Sequence, residues 1–571
     1  MTTHAGGQSS GPAGATSGAE TVTGAQSLIK SLECAGVDTV FGIPGGAISR
    51  LYADLTKRPG IRVVNATHET NAVFLAIGHA LATGKPSVVL TTAGPGMTNA
   101  ITGLASAHAD GVPVLVISGE VPRSAFGRGA LQEGSAYGFD AVSMAKNICK
   151  FATQLSRPNS AVTTVRKALA TMMSGKPGPA FISLPLDVSN AEVGQQSYCG
   201  SVHVDFTIDA GACRKAAELL CRAKRPLILA GAGARIPPAN RAAIAELAHR
   251  TRTPVCVTPK GKGVFAEDDP LYLGGFGDGG HESVIEYLKM KPDVVLVVGS
   301  ALNDIATNAW TPLLCASTAF IQIDVDSGQL GKNYPVDLGL LGPMHAIIGE
   351  MLLHLCEVTP REPHPPLRYQ AVPKSAHGAL TSAEAVMIMN EACPRDAMFT
   401  SDIGAHLGSA LHFLRTRTPG SFVACLGFSS MGSGVVSAIG LAMADPTRRA
   451  FAICGDGVFL MAGNELQSAV QHRVNVTFVI MNDSRLNMCF QGMREQYGVE
   501  ASCGLGSVDF AKVAEGFGAV GRVARTAHEL LQALRLRDGP VVIDVRVDPE
   551  AQLSGSQRIA ALRQFAEGGA Q

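Results

Sequence analysis

Two aspartates follow predicted strands at positions where they could share one ligand. The stretch at 455–483, GDGVFLMAGNELQSAVQHRVNVTFVIMND, places Asp456 after the apolar run AFAIC and Asp483 after VNVTFVIM. Because neighbouring parallel strands end at the same edge of a sheet, we expect the two carboxylates to lie side by side. Paired carboxylates could hold a hard, octahedral cation such as Mg²⁺, which would neutralise a bound diphosphate.

Glycines flank the first aspartate, so the backbone there could approach a bulky anionic ligand. Gly455 and Gly457 carry no side chain, and their amides could cradle phosphate oxygens. We expect the next helix to begin near Asn464. A purely structural interpretation stays open, in which Asp456 caps a helix and Asn482-Asp483 forms a turn.

Strand patterns alternate with helical patterns from about residue 22 to 550. Short apolar runs that end in Gly, Pro or Asp occur at 38–46, 86–96, 113–122, 225–234, 253–263, 292–302, 318–326, 449–457, 474–483 and 539–548. Amphipathic helical stretches such as QSLIKSLECAG lie between them. This alternation predicts an α/β fold of doubly wound parallel sheets with helices on both faces.

Two polar or proline-rich segments divide the chain into three α/β domains. They are QQSYCGSVHVDF at 195–206 and TPREPHPPLRYQAVPKSAHG at 359–378, neither of which can continue a helix or a central strand. The expected division is a disordered tail at 1–20, domains at 21–192, 205–358 and 375–552, and a tail or lid at 553–571.

The overall composition excludes several classes of function. The 571 residues carry 47 Lys+Arg and 47 Asp+Glu, so there is no basic stripe for nucleic acid, and the apolar runs are too short to cross a membrane. The 13 cysteines are scattered without a CxxC pair, which favours reduced thiols and a cytoplasmic protein. Because the chain has no net positive charge, a small anionic ligand must be bound by individual groups at its own site.

The spacing of the two aspartates resembles the signature of thiamine-diphosphate (ThDP) enzymes. In that family the GDG aspartate and a later Asn bind the metal, with a backbone carbonyl two residues further on as the third protein ligand. The resemblance implies Asp456, Asp483 and the carbonyl of Arg485 as the metal ligands. This sequence departs from the family in having Asp483 where Asn is usual, which adds a negative charge beside the diphosphate. A one-residue shift that places Asn482 on the metal would make the spacing unusual.

A second match lies far upstream. Residues 67–122, beginning THETNAVFLAIGHAL, resemble the pyrimidine-binding domain of the acetolactate-synthase branch of this family. The resemblance implies that Glu69 is the catalytic glutamate, which hydrogen-bonds the pyrimidine ring and moves its proton. The alternative is that His68-Glu69 is merely an exposed helix N-terminus. We interpret His68 as structural.

Further motifs extend the resemblance over roughly residues 22 to 550 and divide it into pyrimidine-binding, middle and diphosphate/Mg²⁺-binding domains. They are FGIPGGA (41–47), GPGMTN (94–99), SDIGAHLG (401–408) and GFSSMGSG (427–434). Met431 takes the place of the apolar residue that wedges between the two rings of the cofactor. The implied cofactor-binding residues are Glu69, Gly94, Pro95, Asn99, Gln132, Gly404, Ala405, His406, Ser430, Met431, Gly455, Asp456, Gly457, Val458 and Asp483. The implied substrate-pocket residues are Ile43, Gly45, Gln132, Met488 and Gly492.

The positions that set specificity differ from those of acetolactate synthases. In the family an arginine binds the acceptor carboxylate, and Ile305 occupies that position here. A tryptophan that shapes the acceptor pocket of the family aligns near Gly492. The FAD-binding glycine turn of the family persists as GAGA at 231–234. The flavin-contacting GARFD is GSALN at 299–303, and a family arginine is Lys176. These differences argue against bound FAD, which stays an open alternative.

The resemblance therefore predicts a ThDP- and Mg²⁺-dependent enzyme that decarboxylates a 2-oxoacid, pyruvate first, and transfers the acyl carbanion to a carbonyl acceptor. One alternative is a simple 2-oxoacid decarboxylase, although the adjacent His-His pair of many family decarboxylases is absent from the sequence. Another is a catalytically silent paralogue that acts as a binding subunit, an idea that Asp483 motivates and Glu69 opposes.

The family also implies a particular assembly. ThDP lies between the first domain of one subunit and the third domain of its neighbour. Glu69 and Asp456 of one active site would then come from different chains, which predicts a homodimer at least, or a homotetramer.

Overall fold

Three six-stranded parallel sheets form the frame of the protein. The computed structural model describes residues 21–194 and 207–553. The three sheets with their flanking helices confirm the predicted fold class. The expected tail at 1–20, the linker at 195–206 and residues 554–571 of the expected C-terminal lid lie outside the described residues. The exact bounds of the three domains stay a prediction.

The first sheet has the strand order β3-β2-β4-β5-β7-β6, and a short antiparallel pair, β1 with β8, lies beside it. The strands are β1 (Thr21–Thr23), β2 (Thr39–Gly42), β3 (Arg62–Asn65), β4 (Ser87–Thr91), β5 (Val114–Glu120), β6 (Phe151–Gln154), β7 (Ala180–Pro185) and β8 (Glu192–Gly194). The helices are α1 (Gly24–Cys34), α2 (Ser49–Leu55), α3 (Glu69–Thr83), α4 (Pro95–Asp110), α5 (Ala141–Lys146), α6 (Ala161–Met173) and α7 (Leu186–Asn190).

The middle sheet has the order β11-β10-β9-β12-β13-β14. Its strands are β9 (Pro226–Ala230), β10 (Val255–Val257), β11 (Tyr272–Gly275), β12 (Val294–Val298), β13 (Ala319–Asp324) and β14 (Leu338–Leu341). The helices around it are α8 (Ala210–Arg222), α9 (Pro238–Thr251), α10 (Glu282–Lys289), α11 (Asp304–Thr307) and α12 (Met344–Leu353).

The third sheet has the order β16-β15-β17-β18-β20-β19. Its strands are β15 (Met398–Ser401), β16 (Phe422–Val423), β17 (Ala450–Gly455), β18 (Val476–Asn482), β19 (Val520–Ala524) and β20 (Val541–Arg546). Its helices are α13 (Ser382–Ala392), α14 (His406–Phe413), α15 (Ser433–Ala444), α16 (Asp456–Ala462), α17 (Leu466–Gln471), α18 (Asn487–Tyr497), α19 (Phe510–Gly516) and α20 (Ala527–Ala533). The segment at 359–378 contains neither helix nor strand, as its prolines predict.

Alternate residues of the strands enter two different hydrophobic cores, as expected for sheets covered on both faces. In β2, Val40 belongs to one core and Phe41 to another, and Val88 and Val89 of β4 divide in the same way. Each strand is therefore apolar at successive positions, which explains why these strands are continuous apolar runs in the sequence.

The first and third domains share one core because α3 packs directly against α15. A methyl group on Gly78 of α3 would lie 2.1 Å from the Ser437 carbonyl oxygen, and one on Gly440 of α15 would lie 2.1 Å from that of Leu75. The Ser437 hydroxyl also donates to the Phe74 carbonyl at 3.2 Å. The two helix backbones can approach this closely only where the side chain is a hydrogen atom.

The middle and third domains meet through a buried histidine pair. The rings of His281 and His412 stack with centroids 4.5 Å apart, and the His281 ring donates to the His412 carbonyl. Burial lowers the pKa of both rings, so they are neutral near pH 7. In the described ranges every cysteine is free, and no helix there combines the length and apolar character needed to cross a membrane.

We expect Gly440→Ala to destabilise the protein, because the added methyl group collides with the backbone of α3. The cost should be about 1–3 kcal/mol or more, seen as a lower midpoint of thermal or denaturant unfolding. Gly349→Ala in α12 is the matched control, since nothing lies within 4 Å of the added methyl there. Equal midpoints for Gly440→Ala and Gly349→Ala would contradict the close helix packing.

Candidate functional site

Asp456 and Asp483 lie at adjacent strand ends, as their spacing predicts. β17 pairs with β18 in parallel, with Gly455 opposite Met481. Asp456 is 3% exposed, and its carboxylate accepts from the Gly457 amide at 2.9 Å. Helix α16 begins at Asp456 itself, so the expected helix start near Asn464 was wrong. The dipole of α16 and its free N-terminal amides favour the carboxylate there.

Burial raises the proton affinity of both carboxylates, and the charge of Asp456 adds to the effect at Asp483. Burial raises the pKa of Asp456, and burial followed by the charge of Asp456 raises the pKa of Asp483 to about 7. Two facing carboxylates in a polar, partly buried site form a donor set that fits a hard divalent cation. Among the described residues no group of three or more His, Cys, Asp and Glu side chains could hold a metal ion, so further ligands here would be main-chain, water or cofactor oxygens.

The Arg485 side chain is held by the segment at 549–550. Its guanidinium donates to Glu550 at 2.7 Å and to the Pro549 carbonyl at 3.0 Å. The Arg485 carbonyl accepts from the Asn487 amide at 2.9 Å. Only this carbonyl is therefore suited to the predicted role at the metal.

Asn482 faces the opposite side of the strand from Asp483. Its amide donates to Asp544 at 2.8 Å, and its oxygen accepts from the Ser484 amide at 3.2 Å. Asp544 is fully buried and also accepts from Arg546 at 2.7 Å. These contacts occupy the Asn482 side chain, which supports Asp483 as the residue directed toward Asp456.

Glycines form a cradle around Asp456. A methyl group on Gly457 would lie 2.6 Å from Leu486 and 3.8 Å from the Met431 side chain, so Met431 and Gly457 are neighbours. Val458 is buried directly behind Gly457, in the first turn of α16. Gly455 and Gly457 thus flank Asp456, and the place of a side chain at Gly457 is taken by Leu486, so this glycine is required by the local packing.

The segment at 403–406 forms the opposite wall, at the start of α14. A methyl group on Gly404 would lie 2.7 Å from the His406 ring. That ring donates to the Asp402 carbonyl at 3.1 Å, and burial lowers its pKa to about 4, so it is neutral. The backbone of Gly404 and Ala405, rather than the His406 ring, is therefore the part available to an anion.

Asp402 fixes this segment to the turn that contains Ser430 and Met431, a role that the sequence did not indicate. Its carboxylate accepts from the amides of Ile403 (2.8 Å), Gly432 (3.3 Å), Gly434 (2.6 Å) and Val435 (3.2 Å). Burial nevertheless raises its pKa to about 6. A carboxylate at the N-terminus of α15 satisfies amides that have no partner within the helix.

Glu69 begins α3 and is 8% exposed, so the interpretation as an exposed helix end does not fit. Its Oε2 accepts from the Asn99 side chain at 2.9 Å, while Oε1 accepts no hydrogen bond from the described residues. A methyl group on Gly96 would lie 3.4 Å from Oε1. His68 caps the helix by accepting from the Thr70 amide at 3.2 Å, which is the structural role expected of it.

The other predicted residues of the first domain lie beside Glu69, at the ends of β2 and β4. A methyl group on Gly94 would lie 2.8 Å from the Gln132 side chain, and Pro95 begins α4. Ile43 donates its amide to the Leu90 carbonyl at 3.2 Å, and a methyl group on Gly45 would meet Thr92 at 2.5 Å. The structure thus brings these residues together at one sheet edge.

Three hydroxyl groups near Glu69 were not singled out from the sequence. Those of Tyr52, Thr91 and Thr92 are buried without a hydrogen-bond partner among the described residues. Burial, and then the charge of Glu69, raise the pKa of Tyr52. Thr91 and Thr92 are consecutive residues at the end of β4, whereas Tyr52 comes from α2.

The remaining predicted pocket residues belong to the third domain. Met488 and Gly492 lie in α18, just after Asp483, and Met488 is 39% exposed. No hydrogen bond between described residues joins the predicted site residues of the first domain to those of the third. The two sets thus lie in different domains of the chain, each at the edge of its own sheet.

A cavity of about 520 Å³ lies at the carboxyl ends of the middle-sheet strands. It is lined by the glycine turn at 231–234, by Lys176, and by the segment at 299–306 that includes Ile305. Arg235 also lines it, is 6% exposed, and donates to the Lys260 carbonyl at 2.6 Å. A buried cation and glycine amides fit the phosphates of a nucleotide, the part of FAD that strand-end glycines hold.

Comparison with known proteins identifies three consecutive matches. The chain matches the thiamine pyrophosphate enzyme N-terminal TPP binding domain over 22–144, the central domain over 213–351, and the C-terminal TPP binding domain over 402–545. A probable acetolactate synthase large subunit of Methanocaldococcus jannaschii is 32% identical over 556 residues, 93% of each chain. The acetolactate synthase of Arthrospira platensis is 34% identical over 559 residues, 92% of this chain and 94% of its own. The isozyme 1 large subunit of Escherichia coli is 30% identical over 561 residues, 95% and 96% of the two chains.

Proposed function

Because this chain belongs to the family of thiamine-diphosphate-dependent enzymes that includes acetolactate synthase large subunits, we propose that it is a ThDP- and Mg²⁺-dependent carboligase. It decarboxylates a 2-oxoacid, with pyruvate the favoured donor, and transfers the acyl carbanion to a carbonyl acceptor. The observation that carries this proposal is the pairing of the buried Asp456 with the half-buried Asp483 at the adjacent ends of β17 and β18.

The carboxylate pair suits a metal that holds a diphosphate. Asp456, Asp483 and the Arg485 carbonyl bind the cation, and the amides near Gly404 and Gly457 hold phosphate oxygens. Each carboxylate is relieved of the repulsion of the other when a divalent cation lies between them. Met431 packs against the cofactor from the adjacent turn.

Glu69 is suited to hold and move a proton. When bound, ThDP supplies the carbanion chemistry that cleaves the 2-oxoacid. Asn99 anchors one oxygen of Glu69 at 2.9 Å, which orients the carboxyl and leaves Oε1 to exchange a proton with the pyrimidine ring. Its burial in the first turn of α3 excludes water from that exchange.

The acceptor need not be a carboxylate. Ile305 stands where relatives are expected to place an arginine, and loss of a bidentate donor weakens recognition of a second oxoacid. Nothing lies within 4 Å of a methyl group placed on Gly492, which supports a roomy pocket beside Met488.

The active site is proposed to form between two copies of the chain. Glu69 and Asp456 belong to different domains, and no hydrogen bond in the described chain joins one directly to the other. Apolar side chains next to both half-sites face outward, with Leu131 87%, Leu460 50% and Met461 63% exposed. A second copy would cover them, so a homodimer is the smallest assembly that completes a site.

We expect purified protein to release CO₂ from pyruvate when ThDP and Mg²⁺ are present, and Glu69→Gln to abolish this turnover. The loss should be at least about 100-fold because a positioned acid–base group is removed, whereas ThDP affinity should stay nearly unchanged. Glu246→Gln, an exposed change in α9, is the control.

Acyloin among the products would distinguish the carboligase from a simple decarboxylase. Near-normal activity of Glu69→Gln would contradict the assignment of the catalytic carboxyl. Absence of CO₂ release and of ThDP binding would instead favour a silent binding subunit.

Asp483→Asn should bind Mg²⁺ and ThDP as well as the parent or more tightly, by up to about tenfold, because it removes one negative charge beside the diphosphate. Isothermal titration with ThDP at fixed Mg²⁺ measures this change. Asp509→Asn makes the same substitution at an exposed helix cap and should have no effect. A large loss of affinity in Asp483→Asn alone would show that the carboxylate itself is required.

We propose that the protein works without FAD, since the flavin-contacting segment of relatives is replaced at 299–303. The positive charge of the middle cavity suits a nucleotide phosphate and so does not argue against FAD. The replaced segment at 299–303 is therefore the only observation that supports this proposal. A visible spectrum of the purified protein, followed by mass spectrometry of the small molecules released on denaturation, should show ThDP and no flavin. A stoichiometric flavin peak would refute the proposal and favour chemistry closer to that of acetolactate synthases.

A further inference from the structure

Glu465 is a completely buried carboxylate that joins the third domain to the first. It follows α16 in a short 3-10 turn, Gly463–Glu465. Its Oε2 accepts from the amide of Thr67 at 3.1 Å and from the hydroxyl of the same residue at 2.6 Å. Its Oε1 accepts from the Ser468 hydroxyl at 2.5 Å. All the strong donors around this carboxylate therefore come from two short segments of the chain.

The segment that Glu465 holds is the approach to Glu69. Thr67 lies two residues before Glu69, between β3 and α3. The Ser468 hydroxyl oxygen also lies 2.8 Å from the Asn65 carbonyl oxygen, so its single proton is shared between that carbonyl and Glu465. The Asn71 side-chain amide lies 3.4 Å from the Thr67 hydroxyl and 3.5 Å from the Asn464 side chain. Residues 65–71 are thus fixed on both sides of Glu69 by residues 464–468.

A carboxylate suits this position for two physical reasons. Hydrogen bonds to a charged acceptor are roughly twice as strong as neutral ones, which offsets the cost of burying Glu465. The first turn of α3 also presents a positive end to any nearby anion. A neutral residue would leave the Thr67 amide and hydroxyl in a buried place without an acceptor.

We propose that Glu465 is a positioning residue for Glu69, and that it thereby connects the two active sites of a dimer. This inference rests on the proposed function, in which Glu69 and Asp456 of one chain serve different active sites. Asp456 begins α16, and Glu465 follows that helix by three residues. The Glu465–Thr67 contact therefore links the metal half of one site to the catalytic carboxyl of the other within a single chain.

Mixed dimers with one intact site test this geometry. A chain with Glu69→Gln is co-expressed with a chain with Asp456→Asn, each with its own affinity tag, and the mixed species is purified through both tags. Its single intact site takes Glu69 from the Asp456→Asn chain and Asp456 from the Glu69→Gln chain. Any additional substitution can then be placed on either side of that site.

We expect Glu465→Ala in the Asp456→Asn chain to lower kcat by about ten- to a hundredfold, with little change in the KM for pyruvate, because Glu69 loses its support. The same substitution in the Glu69→Gln chain should have less than a twofold effect. Thr67→Val, which removes only the hydroxyl, should show the same dependence on the chain in which it is placed. Thr67→Ser should restore the parent rate.

A merely structural role predicts a different pattern. If Glu465 only stabilises its own helix, the loss follows the chain that supplies the intact Asp456, and the proposal is overturned. It is also overturned if neither Glu465→Ala nor Thr67→Val has an effect in either chain while the mixed dimer is active. If the mixed dimers show no recovered activity, the interface site is wrong and both proposals fail together. Unfolding midpoints and ThDP affinities of each species confirm that the compared proteins are folded and loaded.

Discussion

The close contact between α3 and α15 is the constraint on which the two half-sites depend. Each helix begins at a functional segment, α3 at Glu69 and α15 directly after Met431 and the amides that Asp402 holds. Gly78 and Gly440 allow the two backbones to touch, so the N-termini of both helices are fixed relative to each other. A shared core across two domains makes this contact rigid, because dense packing resists small displacements.

Sheet topology then explains why the candidate ligands cluster where they do. In each sheet the strands are added first on one side of a central strand and then on its other side. The connections leave in opposite directions where this change occurs, which opens a crevice at the strand ends. The crevices lie between β2 and β4, between β9 and β12, and between β15 and β17. Ile43 and Gly94 border the first crevice, the 520 Å³ cavity occupies the second, and Asp402 and Asp456 border the third. The same winding order in all three sheets thus gives three candidate ligand-binding edges.

Much of this arrangement follows from local sequence, and the remainder depends on distant contacts. Central strands such as β12 are unbroken apolar runs, so both their presence and the adjacency of Asp456 and Asp483 could be predicted. Edge strands such as β16, only two residues long, carry too little pattern to be recognised. The Glu465–Thr67 contact spans 398 residues, and no periodicity or spacing connects such partners. The start of α16 at Asp456 was missed because the strand-end glycine there resembles a loop.

The buried carboxylates of the third domain differ in how their charge is compensated, and this difference locates the chemistry. Asp402 accepts from four amides and Asp544 from an amide, an asparagine and an arginine, so the fold itself satisfies both. Asp456 accepts from the Gly457 amide at 2.9 Å and Asp483 from the Arg485 amide at 3.4 Å, while the Arg485 guanidinium is bound to Glu550. Asp456 and Asp483 therefore have fewer hydrogen-bond donors than Asp402 and Asp544, and they lie together at the edge where β17 and β18 end. The divalent cation that we propose for this edge would add positive charge there, and Asp483 would interact with it more strongly than an asparagine would.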